Sequence, residues 1–331
     1  MKIGPLDLGE RPLLLAPMED VTDVSFRVLC REQGADMVYT EFVNSDGLIR
    51  DVPRTIAKMK TLEEEAPVGI QIYGQHPDAM VEAARMADRA AELAGGHGAD
   101  LVDINFGCPV SKIAGRGAGS GMMREPDKMV AITKAVVEAV DKPVTVKTRL
   151  GWDDHSKIIV ELAERLQDVG VSALTIHGRT RCQLYKGEAD WTLIGAVKAN
   201  PRMHIPIIGN GDITDGPSAK QAFERYGVDG IMIGRATYGH PWIFREIKYF
   251  LEHGEPMPEP SLPEKVALAR RHLALSLQYK GEPRGIYEMR RHLSCYFKGL
   301  PDFKPIRMRM VTTLDVAELN DIFDLIETQY A

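Results

Sequence analysis

Cys108 is the side chain in this sequence best placed for proton transfer or nucleophilic attack. It lies in the segment 105–109, Asn-Phe-Gly-Cys-Pro, which leaves an apolar run typical of a buried strand. A thiol held between glycine and proline, beside cations such as Lys112, can act as a proton donor or as a nucleophile. Residues 110–123 contain four glycines, which favours a mobile flap over a substrate. We therefore expect acid or nucleophilic catalysis at the end of a strand.

Two cations lie near the end of another predicted strand, VTVKTR at 144–149. Because side chains alternate along a strand, Thr145, Lys147 and Arg149 share one face and the valines share the other. The apolar face must meet helices, so the cations point inward. An unpaired charge there costs several kcal/mol unless an anion or a water-filled cavity receives it. This pattern predicts a cavity with an anionic guest.

Comparable polar side chains follow several other predicted strands, again at their C-terminal ends. They are Gln71, Asp103, Asn105, His177, Arg179, Asn210 and Asp212. A single buried polar residue is ordinarily a hydrogen-bonded part of the core, and Arg179 alone would be a salt-bridge partner. The convergence of so many groups on one end of the strands instead favours a ligand site.

The elements that must position these residues are eight short apolar runs separated by helical patterns. The predicted strands are 13–17, 37–41, 68–73, 101–105, 144–149, 172–178, 205–211 and 229–235. Predicted helices between them include 77–94, 126–140, 156–169 and 216–226. Continuous apolar strands suit any parallel sheet that is buried on both faces, including a doubly wound sheet, but eight β/α units are the number in a TIM barrel. The predicted fold class is α/β, a TIM (β/α)8 barrel.

The loops after the seventh and eighth strands have the composition of a phosphate site. They contain Gly209-Asn210-Gly211-Asp212 and Gly234-Arg235. Glycines allow backbone N–H groups to approach an anion, and many barrels bind phosphate between these two loops. Gly-Asn-Gly alone would be an ordinary turn. The prediction of a phosphate site rests on its position after the seventh strand. A phosphate here and a cation deeper in the barrel fit flavin mononucleotide (FMN).

The pattern changes after residue 243, where strands disappear and a proline-rich joint, EPMPEPSLP, precedes further helices. Ser261 and Glu264 form a capping-box signature for a helix that ends near Lys280. Two more helices are predicted, at 283–298 and 313–330. We expect a catalytic barrel over 1–243 and a small all-α helical bundle over 244–331.

Composition limits the function classes that need to be considered. The 331 residues are 44% hydrophobic and 27% charged, with a net charge of −6, so disorder is excluded and nucleic acid cannot be held by net charge alone. Only four cysteines occur, without a CxxC pair, and no metal site is indicated. The N-terminus does not resemble a signal peptide and no membrane span is expected. A reducing cytoplasm is the expected location.

A localised basic patch nevertheless lies in the C-terminal part. Residues 265–309 contain 11 lysines and arginines against 3 acidic residues. Arg284, Arg291 and Lys298 recur every seven residues, which places them on one stripe of a helix. A solvated helix face is the ordinary interpretation of such a stripe. A surface that follows RNA phosphates is the alternative interpretation.

Taken together, these motifs resemble the flavin-dependent tRNA-dihydrouridine synthases, most closely the bacterial B-type branch. The resemblance covers nearly the whole chain. Its markers are LLLAPMEDVTDVSFR, GIQIYG, DINFGCPVSKIAGRGAGSGMM, VTVKTRLGW, LTIHGRTR, GNGDIT and IGRATYGHPWIFREI. It implies a barrel that holds FMN and a helical domain that helps to bind tRNA.

The resemblance also implies roles for individual residues. Those expected to contact the flavin are Ala16, Pro17, Met18, Gln71, Lys147 and His177. Those expected to hold its ribityl phosphate are Asn210, Gly211, Asp212, Gly234 and Arg235. Cys108 is similar to the family's general acid, and Asn105 and Arg149 match positions that hold the target uracil. Other residues are expected to contact the RNA because of their charge and position and not because of the resemblance. Beside a site that modifies a base, the basic stripe of Arg284, Arg291 and Lys298 is better explained as a contact to RNA phosphates, and Lys112 and Arg179 are the remaining expected contacts.

The implied reaction is reduction of the C5–C6 double bond of uridine. NADPH, or NADH, would reduce FMN, the flavin N5 would pass hydride to C6, and Cys108 would protonate C5 from the other face. Lys147 would stabilise the anionic reduced flavin. A stacked base cannot present C6 to a flavin ring, so the uridine must be flipped out.

Other functions fit parts of the pattern. One is an FMN barrel that acts on a free small molecule, such as a dihydroorotate dehydrogenase-like enzyme, although the basic helical region argues against it. Others are a uridine reductase directed at ribosomal RNA and a non-catalytic RNA-binding factor. The sequence leaves protein partners open.

Overall fold

The computed structural model describes residues 1–330, and a ring of parallel strands forms its centre. Eight strands are hydrogen-bonded in one continuous path, and a parallel bridge between Leu14 and Met37 joins the two ends of that path. In chain order the strands are β1 (Lys2–Ile3), β2 (Leu6–Asp7), β3 (Leu13–Leu15), β4 (Val38–Tyr39), β5 (Val43–Asn44), β6 (Val68–Tyr73), β7 (Leu101–Asn105), β8 (Val144–Arg149), β9 (Ala173–His177), β10 (Ile207–Asn210) and β11 (Gly230–Ile233). The predicted TIM barrel is confirmed: each of the eight predicted runs contains a barrel strand.

Helices surround the barrel and continue beyond it. In chain order they are α1 (Val24–Glu32), α2 (Ser45–Leu48), α3 (Pro53–Ala57), α4 (Pro77–Asp88), α5 (Ala90–Ala94), α6 (Ser111–Ala114), α7 (Pro126–Val137), α8 (Ile159–Asp168), α9 (Thr192–Ala199), α10 (Gly216–Tyr226), α11 (Ile243–His253), α12 (Leu262–Lys280), α13 (Arg284–Tyr296), α14 (Lys304–Thr312) and α15 (Val316–Tyr330). Within residues 1–330, none of these helices combines the length and the apolar character that crossing a bilayer requires.

Two predicted segments differ from the structure. The helix predicted over 77–94 is divided into α4 and α5 at Arg89, where the backbone, with φ −101° and ψ 26°, departs from helical geometry. The Lys142 ammonium donates to the Asp88 carbonyl, one of the last of α4, at 2.9 Å. The glycine-rich segment predicted as a flap folds instead into α6 and a 3-10 turn at Gly119–Arg124. Residues 118–123 are buried, so only the first half of the segment lies at the surface.

The barrel interior is apolar in its lower half and polar at the top. Leu14, Leu101 and Ile208 point inward, while the N-terminal hairpin β1–β2 closes the bottom with Ile3. A larger apolar core lies between the strands and the surrounding helices. Because the lower half is filled with side chains, space for a ligand remains only toward the C-terminal ends of the strands.

The last four helices share a separate apolar core, to which Leu273, Met289, Leu293 and Phe323 contribute. Helix α12 packs on α1 of the barrel. Helix α11 contributes Phe244 and Ile247 to the barrel core instead. The second core also includes Trp242, which precedes α11. The domain division at residue 243 therefore stays a prediction.

Candidate active site

A cavity of about 650 Å³ lies at the C-terminal ends of the barrel strands. The sequence-predicted residues that line it are Ala16, Pro17, Met18, Gln71, Asn105, Cys108, Lys147, Arg149, His177, Asn210, Gly211, Asp212, Gly234, Arg235 and Arg291. Its size is within the range of small-molecule and cofactor sites. The structure thus brings together fifteen residues that the strand-end argument and the resemblance singled out.

The strand register explains why these side chains meet. Asn105 on β7 is paired with Lys147 on β8, and Arg149 on β8 is paired with His177 on β9. His177 is paired in turn with Asn210 on β10. Inward-facing residues of neighbouring strands therefore stand side by side at the same height, and together they form one wall of the cavity.

Cys108 lies just beyond β7 and is 9% exposed. Its backbone N–H donates to the Asn105 Oδ1 at 2.8 Å, as does the Gly107 N–H at 3.0 Å. Its carbonyl accepts from the Ser120 hydroxyl at 2.8 Å. Burial raises the pKa of the Cys108 thiol, and nearby cations, Arg149 first, oppose the rise. At neutral pH the group is therefore a protonated thiol, which suits a proton donor better than a nucleophile.

Lys147 is a partly buried cation with few partners. Its Nζ donates to the Asn210 Oδ1 at 3.1 Å, and Asn210 is itself fixed by a 2.8 Å bond to the Met232 carbonyl. Burial, and then the charge of Arg149, lowers the pKa of Lys147 to about 8. The side chain is thus still mainly charged at pH 7. An ammonium has three donors, so this one retains capacity for an anionic or carbonyl oxygen in the cavity.

Arg149 is held rigidly at the cavity wall. Its Nε donates to the Gly107 carbonyl at 2.7 Å, and its Nη1 donates to the carbonyls of Thr180 and Leu184 at 2.9 and 2.8 Å. Burial lowers the pKa of Arg149 to about 10, so it is charged at neutral pH. The bond to Gly107 ties this cation to the loop that carries Cys108.

His177 is neutral in this setting, because burial and the charges of Arg149 and Lys147 lower the pKa of its imidazole well below its usual value. The Arg179 Nη1 lies 3.3 Å from the His177 Nε2. Since guanidinium N–H groups only donate, Nε2 is the accepting nitrogen and Nδ1 carries the hydrogen.

Four of the residues expected to contact the substrate lie outside the cavity wall: Lys112, Arg179, Arg284 and Lys298. Arg179 is 2% exposed and donates to the Gly187 carbonyl and to the Asp212 carboxylate at 2.5 and 2.7 Å. It therefore shapes the loop after β9. Lys112 is exposed on α6, and the cations that act on the Cys108 thiol are Arg149 and Lys147.

The loops after β10 and β11 offer free backbone donors. Within residues 1–330, the N–H groups of Gly211, Asp212 and Gly234 donate to no protein acceptor. Gly211 has φ +126°, a conformation that favours glycine, and a Cβ there would lie 2.7 Å from the Ala189 Cβ. Arg235 is half-exposed beside these loops. Free N–H groups with a cation match a phosphate.

Several lining residues have no signal in the sequence analysis. Glu19, Phe42, Tyr185 and Tyr238 also contact the cavity. The Tyr185 ring lies between two guanidinium groups, 5.6 Å from the Arg149 Cζ and 5.0 Å from the Arg235 Cζ. These residues come from loops, where no strand or helix periodicity indicates direction.

The predicted basic stripe of α13 divides into three different environments. Arg291 reaches the cavity wall and lies over the Tyr238 ring, 5.9 Å from its centroid. Arg284 is paired with Glu288 at 2.6 Å, and Lys298 is exposed beyond the last residue of the helix. Of the three, Arg291 is the one that joins the helical region to the cavity.

Comparisons with known proteins agree with this geometry. The family model described as "Dihydrouridine synthase (Dus)" matches residues 14–327. A probable tRNA-dihydrouridine synthase of Rickettsia conorii is 40% identical over 93% of this chain and 90% of the relative. The tRNA-dihydrouridine synthase B of Pseudomonas aeruginosa is 41% identical over 93% of this chain and 90% of its own.

Solved structures show the same barrel fold at low identity. A morphinone reductase variant has a TM-score of 0.54 with 13% identity, and the match covers 78% of this chain and 92% of that one. A 2-naphthoyl-CoA reductase also has a TM-score of 0.54, with 12% identity over 75% of this chain and 51% of the other.

Proposed function

This chain belongs to the dihydrouridine synthase family, and we propose from that premise that it reduces the C5–C6 double bond of specific uridines in tRNA to 5,6-dihydrouridine. The observation that carries the proposal is the buried, protonated thiol of Cys108 at the wall of a cationic cavity in the barrel. The curated relatives named above supply the RNA class, since their names specify tRNA.

The cavity fits a flavin nucleotide, and we propose FMN. Its phosphate would be held by the free N–H groups of Gly211, Asp212 and Gly234 together with Arg235. Its ring would lie toward Lys147, whose remaining donor capacity suits an electron-rich carbonyl or nitrogen. When bound, the flavin supplies the hydride, with NADPH proposed as the source of its electrons.

The role proposed for Cys108 is delivery of a proton to C5 of the pyrimidine. Hydride addition at one carbon of the double bond leaves negative charge that a proton must neutralise at the other. A thiol with a raised pKa stays protonated until that charge develops. The bonds from the Gly107 and Cys108 N–H groups to Asn105 hold the thiol's loop in place.

Arg149 and Asn105 are proposed to hold the uracil. The guanidinium of Arg149 has donors beyond those that bind the Gly107, Thr180 and Leu184 carbonyls, and a uracil carbonyl is a suitable acceptor. Asn105 already uses its Oδ1 and one Nδ2 hydrogen, so only its second Nδ2 hydrogen is available.

The helical region is proposed to bind the RNA around the flipped nucleotide. Unstacking a base costs about a few kcal/mol, which contacts elsewhere on the RNA must offset. Arg291 lies at the junction between the cavity and the basic patch of residues 265–309. A phosphate beside the flipped uridine would meet Arg291 first. We therefore propose the division into a catalytic barrel and an RNA-binding bundle, and a cytoplasmic location, where tRNA is available.

The test uses the purified full-length chain, loaded with FMN and supplied with NADPH. Its substrates are tRNA from cells that lack dihydrouridine, ribosomal RNA from the same cells, free uridine monophosphate and dihydroorotate. Nucleoside mass spectrometry is expected to detect dihydrouridine in the tRNA alone. Turnover of a free pyrimidine without modification of tRNA would overturn the proposal in favour of a small-molecule enzyme. Modification of ribosomal RNA alone would redirect it to that substrate.

A further inference from the structure

Asp103 is a buried carboxylate that the chemistry proposed above does not use. It lies on β7, faces the barrel interior and is 1% exposed. One of its oxygens accepts from the Gln71 Nε2 at 2.5 Å, and the other accepts from the Thr145 hydroxyl at 2.5 Å. Asn105, which lines the cavity, lies two residues farther along the same strand toward the C-terminal end of the barrel. Asp103 therefore lies one layer below the cavity wall.

A chain of hydrogen bonds connects this carboxylate to the Cys108 loop. Gln71 donates to Asp103, and its Oε1 accepts from the Asn105 Nδ2 at 2.9 Å. The Asn105 Oδ1 then accepts from the Gly107 and Cys108 N–H groups at 3.0 and 2.8 Å. Two side-chain amides thus link the carboxylate to two backbone amides.

The direction of every bond in this chain is determined by its two ends. A side-chain amide can be turned over, which exchanges its donor and acceptor sides. An ionised carboxylate only accepts, so it requires the NH2 group of Gln71 to face Asp103. Backbone N–H groups only donate, so they require the oxygen of Asn105 to face Cys108. Both requirements are met at once only in the arrangement that is present.

We propose that Asp103 is a positioning residue, which sets the orientation of the Gln71 and Asn105 amides and thereby holds the Cys108 loop with its thiol at the cavity wall. The significance of this role for catalysis rests on the function proposed above. The structural role itself does not depend on that function, because it concerns the backbone amides of Gly107 and Cys108.

The charge state of Asp103 supports this role. Burial raises the pKa of the carboxyl to about 6, against the hydrogen bonds from Gln71 and Thr145 and the charge of Lys147. The group is therefore mainly ionised at pH 7.5, where it can only accept. A buried carboxylate that faces only apolar groups would be expected to stay neutral. The hydrogen-bond donors around Asp103 stabilise its ionised state, and the ionised state fixes the direction of the chain.

The test measures hydrogen exchange of individual backbone amides in the full-length protein at pH 7.5. Asparagine can present either its oxygen or its NH2 group to Gln71, so Asp103→Asn removes the obligate acceptor that fixes the direction of the Gln71 and Asn105 amides. The amides of Gly107 and Cys108 should then exchange about tenfold faster, as expected for loss of one net hydrogen bond. The rate at which iodoacetamide alkylates the Cys108 thiol should also differ between this variant and the original protein.

A second substitution separates direction from packing. The double variant Asp103→Asn with Gln71→Glu carries its carboxylate at position 71 instead of position 103. The Asn105 NH2 group therefore again faces a group that can only accept. Exchange at Gly107 and Cys108 should return to within about twofold of the original protein. Thr145→Val is the matched control, because it removes a bond to Asp103 without reversing the chain. It should leave exchange at both amides unchanged.

Unchanged exchange in Asp103→Asn, or failure of the double variant to restore protection, would overturn the proposal. If Asp103→Asn does not fold, Gln71→Met cuts the chain while Asp103 remains, and it should accelerate exchange at the same two amides. Protection that survives in Gln71→Met would equally reject the role. Should the protein make no dihydrouridine while these exchange patterns hold, the proposed function would fail and the positioning role would stand.

Discussion

Acid should weaken the attachment of the helical region, and the buried imidazole of His292 should account for a defined part of that loss. This residue lies on α13 at the contact with the barrel. Its ring centroid is 4.1 Å from that of Phe26 on α1, and its Nδ1 lies 3.3 Å from the Gly239 nitrogen, which donates to it. Burial lowers the pKa of His292 to about 4, with Lys280 and Arg291 adding to the effect and Asp23 opposing it.

The size of the stability loss follows from the difference in the pKa of His292 between the folded and unfolded states. The ordinary histidine pKa is 6.5 and the folded value is about 4, so the unfolded chain binds this proton first as the pH falls. Stability from this group is complete above pH 6.5 and is lost as the pH falls toward 4. At pH 5.0 the loss amounts to about 2 kcal/mol, since each pKa unit is worth about 1.4 kcal/mol.

The assay is urea unfolding of the original protein and of His292→Asn at pH 7.5 and 5.0. Asparagine keeps an acceptor for the Gly239 N–H but cannot be protonated. The free energy of unfolding of the original protein should fall by about 2 kcal/mol more than that of His292→Asn. His204→Asn, at an exposed position, controls for the loss of any one histidine. Equal losses in the original protein and His292→Asn, or a larger loss in the variant, would refute the reasoning.

Three further predictions concern the contact between the helical region and the barrel, the proposed phosphate loop and the proposed RNA surface. Lys280→Met should lower the free energy of unfolding by about 3–5 kcal/mol, measured by urea unfolding, because it removes the ammonium that pairs with the largely buried carboxylate of Asp23, whose side chain is 15% exposed; a loss below about 1 kcal/mol would contradict this. Gly211→Ala should weaken FMN binding in fluorescence titrations, since its φ of +126° and the nearby Ala189 Cβ disfavour a side chain; unaltered affinity would argue against a phosphate site there. Arg291→Ala should weaken tRNA binding and reduce the slope of log affinity against log salt by about one, and an unchanged slope would remove Arg291 from the RNA contacts.

Strand alternation predicted the part of the cavity wall that inward-facing strand residues form. Lys147 and Arg149 face inward from β8 as the period of two requires, because apolar neighbours on the other face must meet the helices. Strand alternation does not predict the direction of the Arg179 side chain. It lies two residues beyond the end of β9, where no ladder fixes direction, and it forms an ion pair with Asp212, a lining residue far away in sequence, without itself lining the cavity.

The helical region shows a similar limit. The helix predicted over 283–298 is present as α13, and its apolar residues Ile286, Met289 and Leu293 are all within 1% of complete burial. The spacing of seven did not reveal that α13 ends at Tyr296, which leaves Lys298 outside the helix. Heptad spacing specifies a shared face only while the helix continues, and the contacts that end it are not local.

The central claim is that Cys108 donates the proton in uridine reduction, and one measurement tests it most directly. Protein loaded with FMN and supplied with NADPH is incubated with tRNA that lacks dihydrouridine, and the product is counted by nucleoside mass spectrometry for the original protein and for Cys108→Ala. The account predicts dihydrouridine with the original protein and a rate about 10²–10⁴-fold lower for Cys108→Ala, with flavin absorbance and tRNA affinity retained. Equal rates for the two proteins would contradict the account.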